Sequence, residues 1–321
     1  MKAFVTGGTG FVGAHLVRAL SERGDAIRCL VRSPRKAQAL GWHGVEAIAG
    51  DLTDREALER GCAGVDVVFH VAGIVTARNA DEFLEVNRDG AAAVAAAAAA
   101  KGAARLVLVS SLSAGGPTVP GAPIDEARPP APITDYGRSK LAAETAVRAS
   151  RVPWTIVRPP TVYGEWDREF LKVFKLARLG VVPVFGDGSQ ELSVIHAEDL
   201  ARALIAAAGP KAAGKVYYAS HPTLTTSRAL ARAIGRAVAR RPAVVGLPAP
   251  LARGLLVTIG SLAHLAGRST MLSADKAHEF LAPAWTCKSD ALTRDTGWRA
   301  GVDLESGLAR TAAWYFAEGW L

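Results

Sequence analysis

The chain has 321 residues, half of them hydrophobic and 21% charged, a globular composition long enough for one large domain or two modest ones. Its net charge of +8 raises nucleic acid as a partner, but the arginines are scattered singly, with no basic run and no interleaved aromatics, which argues against one. A positive surface favours instead an anionic small ligand such as a phosphorylated cofactor.

The chain opens on MKAFVTGG, already a strand, so no secretory leader is expected. Apolar runs then alternate with helical patterns: AFVT (3–6), AIRCLV (26–31), VEAIAG (45–50), DVVFHVAG (66–73), RLVLVSS (105–111) and WTIVRP (154–159). Such alternation predicts an α/β fold, a Rossmann-type doubly wound parallel sheet with helices on both faces. The run AAAVAAAAAA (91–100) reads as a crossover helix whose small side chains pack close to the sheet. After residue 160 the alternation fades, although VYYAS (216–220) reads as one more strand. The expected organisation is a dinucleotide-binding core over 1–164 that takes back about 194–220. A smaller, mostly helical substrate lobe would comprise 165–193 and 221–321. The apolar stretch 243–267 is broken by Pro248, Pro250, Arg253 and His264, so it predicts helices lining a pocket or core and no membrane span.

Three cysteines, Cys29, Cys62 and Cys287, form no CxxC pair and suggest a reducing cytoplasm. The seven histidines fall in no metal-ligand spacing, so no metal site is expected.

TGGTGFVG (6–13) follows the first strand and opens a helix. Gly8, Gly10 and Gly13 satisfy GxGxxG and Gly7 adds a flexible position, so the backbone of Gly7, Gly10, Phe11, Val12 and Gly13 can approach a pyrophosphate. At the end of the second strand NAD sites usually carry an acidic residue for the ribose. Here Val31 stands in that place, followed by Arg32, with Arg35 and Lys36 nearby, and guanidinium groups suit a 2′-phosphate. NADP(H) is therefore the expected cofactor, with NAD(H) as the alternative.

The sequence resembles the extended short-chain dehydrogenase/reductase family, the NAD-dependent epimerase/dehydratase group, along nearly its whole length. Beyond the glycine turn, GDLTD (50–54) resembles the adenine-contacting segment, which implies Asp51 and Leu52 at the adenine ring. HVAG (70–73) resembles the motif beside the cofactor riboses and implies Val71, Ala72 and Gly73 there. EVNRDG (85–90) implies a supporting role for Asn87. VSSLSAGG (109–116) implies Val109 at the cofactor and Ser111 as catalytic serine, with Ser110 and Ser113 left as alternatives. DYGRSK (135–140) is similar to the catalytic pair, Tyr136 and Lys140, and RPPTVYG (158–164) implies Pro159 and Val162 beside the nicotinamide. VIHAEDLA (194–201) resembles a later segment of the family.

The resemblance implies proton transfer by Tyr136, its phenol pKa lowered by the Lys140 ammonium, with Ser111 holding the substrate oxygen. In GDGSQELS the sugar-nucleotide relatives typically follow GDGSQ with an Arg-Asp pair, whereas this chain has Leu192-Ser193. That departure, with the apolar C-terminal lobe, points to ketone–alcohol interconversion on an apolar substrate, nearest to the dihydroflavonol reductase and 3β-hydroxysteroid dehydrogenase-like branches. A nucleotide-sugar epimerase or dehydratase is the alternative, and a non-catalytic cofactor-binding sensor or scaffold comes third. The family resemblance also suggests a homodimer.

Overall fold

The computed structural model describes residues 1–321 apart from 34, 36, 38–40, 43, 267, 268 and 273. Six strands alternate with helices through the first half: β1 (Lys2–Thr6), β2 (Ala26–Val31), β3 (Val45–Ala49), β4 (Val67–His70), β5 (Arg105–Val109) and β6 (Trp154–Arg158). Outside them lie β7 (Thr161–Tyr163), β8 (Val181–Phe185), β9 (Glu191–Leu192) and β10 (Val194–His196), before β11 (Lys215–Tyr218) returns to the main sheet. The seven-stranded sheet has the order β11-β6-β5-β4-β1-β2-β3, and all of its pairings are parallel. The seven apolar runs of the sequence are its seven strands.

Burial on both faces explains their composition, since strands covered on each side read as continuous apolar runs. All of β4 and β5 is buried. On one face the core includes Leu16, Val17 and Leu20 of the helix Phe11–Glu22 together with Leu200 and Leu204 of the helix Ala197–Ala207. On the other it includes Leu58, Val94, Ala98 and Val147 from three further helices. The alanine run forms the helix Gly90–Ala100, and its Ala91, Ala95 and Ala98 are fully buried, so no side chain larger than a methyl group separates backbone from neighbour there.

Sheet order reverses between β1 and β4, which opens a crevice at their carboxyl ends, the usual ligand position in such sheets. Beyond it lies a third core cluster that includes Phe174, Val184, Ile234, Leu308 and Tyr315. There β8 pairs in parallel with β13 (Ala243–Leu247), while β9 pairs with β12 (Thr225–Thr226) and β14 (Ala284–Trp285). The stretch 243–267 departs from its expected all-helical form. Its first residues are β13, because Val244 and Val245 are β-branched and Pro248 then ends the strand. The helix that follows, Ala249–Leu265, is largely at the surface and not in the core.

Candidate active site

The loop after β1 is shaped by glycine. Gly7 has φ +76°, and a Cβ there would lie 2.5 Å from the backbone N of Ala72. A Cβ on Gly13 would lie 2.0 Å from the Gly7 carbonyl oxygen. Neither position admits a side chain. The turn closes with Gly10 N donating to Gly7 O at 2.9 Å. Gly10 then caps the helix without a side-chain acceptor, so the first amides, from Phe11 to Gly13, have no partner within the helix. This cradle fits a pyrophosphate. Gly8 serves the core instead, with its Cα packed toward Cys29 and Val17. The β1 and β4 ends are tied by Thr6 Oγ1 and His70 Nδ1 at 2.7 Å.

Val71, Ala72 and Gly73 continue from β4 past this turn. Val12, Val71 and Val162, from three distant motifs, all pack against the same core cluster. Arg32 and Arg35 are exposed just beyond β2, while Lys36 lies outside the described residues. Asp51 is exposed too. Its carboxylate accepts from the Thr53 amide at 2.8 Å and the Thr53 hydroxyl at 2.6 Å, and these bonds, more than the nearby Arg32, hold its pKa below the usual range. Leu52 is half-buried against Gly90, where a Cβ would lie 2.7 Å from Leu52 Cδ1.

Asn87 sits in a π-helical turn, Leu84–Asp89, a distortion often found at functional sites. Its Oδ1 accepts from Ile74 N at 2.9 Å, and its Nδ2 donates to Ile74 O at 3.1 Å and Ser139 Oγ at 2.9 Å. Ser139 in turn donates to Tyr136 O at 2.8 Å. Asn87 thus joins the β4 loop to the first turn of the helix Asp135–Arg148, which Thr134 caps through Gly137 N. Tyr136 and Lys140 project from that helix one turn apart. Lys140 is buried, and its Nζ donates to the carbonyl of Val109 at 2.7 Å. Pro159 is buried behind Ser111, its carbonyl accepting from Leu112 N at 2.8 Å.

The three serines separate by partner. Ser111 stands near enough to the Tyr136 phenol to lower its pKa, and its Oγ accepts from Ser113 N at 3.1 Å, capping the one-turn helix Leu112–Gly115. Ser110 is buried and donates to Glu144 Oε1 at 2.6 Å. Arg158 grips the same carboxylate through bonds of 2.8 and 2.7 Å, so Ser110 belongs to the brace between this helix and β6. Ser113 bonds Glu279.

The electrostatics correct one expectation. Loss of water pushes the Tyr136 phenol up to about 12, against the hydrogen bond from Ser111, and the Glu279 carboxylate pushes the same way. Burial also pulls Lys140 down to about 8, against the nearby Glu144. The loss of water outweighs the lowering contribution, so the net shift of Tyr136 is upward. The phenol is held protonated at neutral pH.

Three residues beside Tyr136, namely Lys276, Glu279 and Phe83, carry no sequence motif. Lys276, from the helix Ala274–Phe280, lies with Nζ 4.4 Å from the centroid of the Tyr136 ring and pairs with Glu279. In the sequence they are one more i,i+3 charge pair, and only the chain's return to the sheet edge brings them to Tyr136. Phe83 packs on the same ring at 5.9 Å between centroids. Lys276 and Phe83 both line a cavity of about 460 Å³, with Val75, Val257 and Leu265.

The glycine-rich segment after β8 is structural. Gln190 Nε2 donates to the carbonyl of Ala282 at 2.7 Å, and Arg228 donates to the carbonyls of Asp187 and Val244. Ser193 Oγ accepts from Cys287 N at 3.0 Å and is fully buried. In the loop 120–130, Glu126 accepts from Tyr218 N at 2.9 Å and pins the loop to β11.

The profile of the NAD dependent epimerase/dehydratase family matches residues 3–219. A ceramide reductase of Caulobacter vibrioides is 38% identical over 99% of this chain and 95% of its own. A 2-alkyl-3-oxoalkanoate reductase of Stenotrophomonas maltophilia is 30% identical over 98% and 99%. Among solved structures, the dTDP-glucose 4,6-dehydratase of Streptomyces venezuelae with bound NAD superposes with a TM-score of 0.81 at 24% identity, covering 100% of this chain and 98% of that one. That similarity concerns the fold. With the glycine cradle, the serine–tyrosine–lysine cluster and end-to-end reductase relatives in one molecule, the chain belongs to the NAD-dependent epimerase/dehydratase family, within the extended short-chain dehydrogenases/reductases, and is an NAD(P)-dependent oxidoreductase.

Proposed function

We propose that the protein is an NADP(H)-dependent reductase of an apolar, long-chain ketone, with Tyr136 as proton donor. The observation that carries this reading is the cluster of Ser111, Tyr136 and Lys140, with Ser111 near enough to the phenol to lower its pKa and the Lys140 Nζ held on the Val109 carbonyl at 2.7 Å. Gly7, Gly10, Phe11, Val12 and Gly13 would hold the pyrophosphate, Asp51 and Leu52 the adenine, and Arg32 and Arg35 the 2′-phosphate. Val71, Ala72, Gly73, Asn87 and Lys140 would border the riboses, and Val109, Tyr136, Pro159 and Val162 the nicotinamide.

When bound, the cofactor supplies the hydride to the carbonyl carbon. Ser111 and Tyr136 hold the carbonyl oxygen between two hydroxyl groups, and the Tyr136 O–H delivers its proton there as negative charge develops. A phenol with raised pKa suits that direction, because it arrives protonated. Lys140 sets the local charge beside it. Val75, Val257 and Leu265 offer the substrate an apolar wall. The Leu192-Ser193 departure supports an apolar substrate over a diphosphate, since Ser193 is tied to Cys287 and Arg228 to backbone carbonyls. The ceramide and oxoalkanoate reductases among its relatives support the same class. In this reading 1–164 with about 194–220 carries the cofactor, and 165–193 with 221–321 carries the substrate. Three buried, unpaired cysteines suit a reducing cytoplasm.

The test is a panel of long-chain ketones and nucleotide sugars assayed for loss of reduced-cofactor absorbance. Stoichiometric consumption with ketones supports the proposal. Isomerisation of a nucleotide sugar without net consumption would establish the epimerase reading instead.

A further inference from the structure

We infer that the helix Ala249–Leu265 docks on the surface of an anionic lipid bilayer, resting on it without crossing it. Among the described residues no helix is long and apolar enough to span a membrane. This one has another character. Only Ala252 and Leu256 of its central turns are fully buried. Leu251, Leu255 and Leu262 are 67%, 49% and 62% exposed, and at 3.6 residues per turn they fall within about 40° of one another. Val257, Gly260 and Ser261 project from a different side and line the cavity beside Lys276 and Phe83. One face therefore lines this cavity while another presents leucines to the outside.

Charge selects the occupant. Residues 200–274 contain ten Lys and Arg and no Asp or Glu, more positive charge than the net +8 of the whole chain. Arg202, Lys215 and Arg236 are paired with carboxylates. Arg240 and Arg241 are exposed just before β13, at the end of that strand away from the helix, and Arg253 is exposed on the helix itself. Ala243 N donates to Gly180 O at 2.8 Å, which brings the exposed Arg178 and Leu179 beside Arg241. Arg253 lies about 160–180° around the helix from the leucines, which gives an apolar face with a cation on the other side, the arrangement of helices that lie at an anionic lipid interface. A second copy of the chain fits less well, because a two-fold pairing sets the same patch against itself and so brings like charges together.

Docking in this orientation would let a lipid-like ketone pass from the bilayer to the cavity without entering water. That consequence rests on the substrate reading above; the docking itself does not. The experiment is co-sedimentation of the full chain with vesicles of phosphatidylcholine containing phosphatidylglycerol, and with phosphatidylcholine alone. Binding is expected to the anionic vesicles, to weaken with added salt, and to fall about tenfold or more in the Leu251→Ser/Leu255→Ser/Leu262→Ser variant. The melting temperature and reduced-cofactor affinity of that variant should stay at wild-type values. No sedimentation with anionic vesicles, or sedimentation that the triple variant leaves unchanged, overturns the inference. So does a dimer in light scattering that the variant dissolves while vesicles fail to bind. Vesicle binding in a protein that reduces no ketone would keep the docking face and remove the substrate reading.

Discussion

The ammonium of Lys140 donates to the carbonyl of Val109 at 2.7 Å, so the last residue of β5 holds the cation beside the tyrosine. Burial lowers that ammonium to about 8, which places its loss of charge within the working range. Below about 8 Lys140 is charged, and above it neutral. Tyr136, pushed up to about 12, stays a phenol throughout. Ketone reduction should therefore decline as pH rises through about 8, with a single limb in the pH profile of kcat/KM. Lys140→Arg should move that limb upward, because guanidinium remains charged. The same shift acts on stability. Between about 8 and the ordinary lysine value the unfolded chain binds a proton that the folded chain does not, so this group's contribution rises with pH.

Replacing Tyr136 by Phe removes the proton donor and leaves the ring against Phe83. Steady-state kinetics should show kcat reduced about a hundredfold or more, equivalent to about 2.7 kcal/mol of transition-state stabilisation. The affinity for reduced cofactor in a fluorescence titration should change little. Unchanged turnover would remove Tyr136 from the chemistry.

The serines should separate by readout. Ser111→Ala is expected to lower kcat about tenfold or more while the melting temperature stays near wild type. Ser110→Ala should keep its turnover but lose about 1–2 kcal/mol of stability in denaturant titration, because a buried bond to Glu144 goes. Arg158→Met tests the brace more severely. It leaves the buried Glu144 with only the more distant Arg148 at 3.5 Å, a loss of about 3–5 kcal/mol.

Much of this site was legible from spacing, and the reason is local. The glycine turn is read within eight residues because the positive φ of Gly7 and the clash of a Gly13 Cβ with the Gly7 carbonyl arise inside the turn itself. The central strands β4 and β5 were legible because both faces of the sheet are covered there, leaving a fully buried run in each. The choice of Ser111 over Ser110 was not, since it depends on which hydroxyl meets Tyr136 and which meets Glu144. Lys276 and Glu279 were invisible for the same reason. Their proximity to Tyr136 comes from a chain reversal some 140 residues later, and no motif includes the two residues themselves. The raised phenol pKa also escaped, because a Tyr-x-x-x-Lys spacing reports the neighbouring charge and not the water excluded around it.

Arg32 lies exposed at the end of β2, close enough to Asp51 to contribute to its lowered pKa. If it pairs with a 2′-phosphate, Arg32→Ala should raise the Kd for NADPH about tenfold or more and leave that for NADH nearly unchanged, by isothermal titration. Equal changes for the two cofactors would contradict the NADP(H) assignment.

The proposed chemistry turns on net hydride transfer to a ketone, with the proton from Tyr136. The decisive measurement follows reduced cofactor deuterated at the transferring position, with a long-chain ketone as acceptor. One deuterium is expected on the carbinol carbon of the released alcohol for each cofactor oxidised, and neither product from the Tyr136→Phe protein. Label that stays on the cofactor, while a nucleotide sugar is isomerised by the same protein, would overturn it.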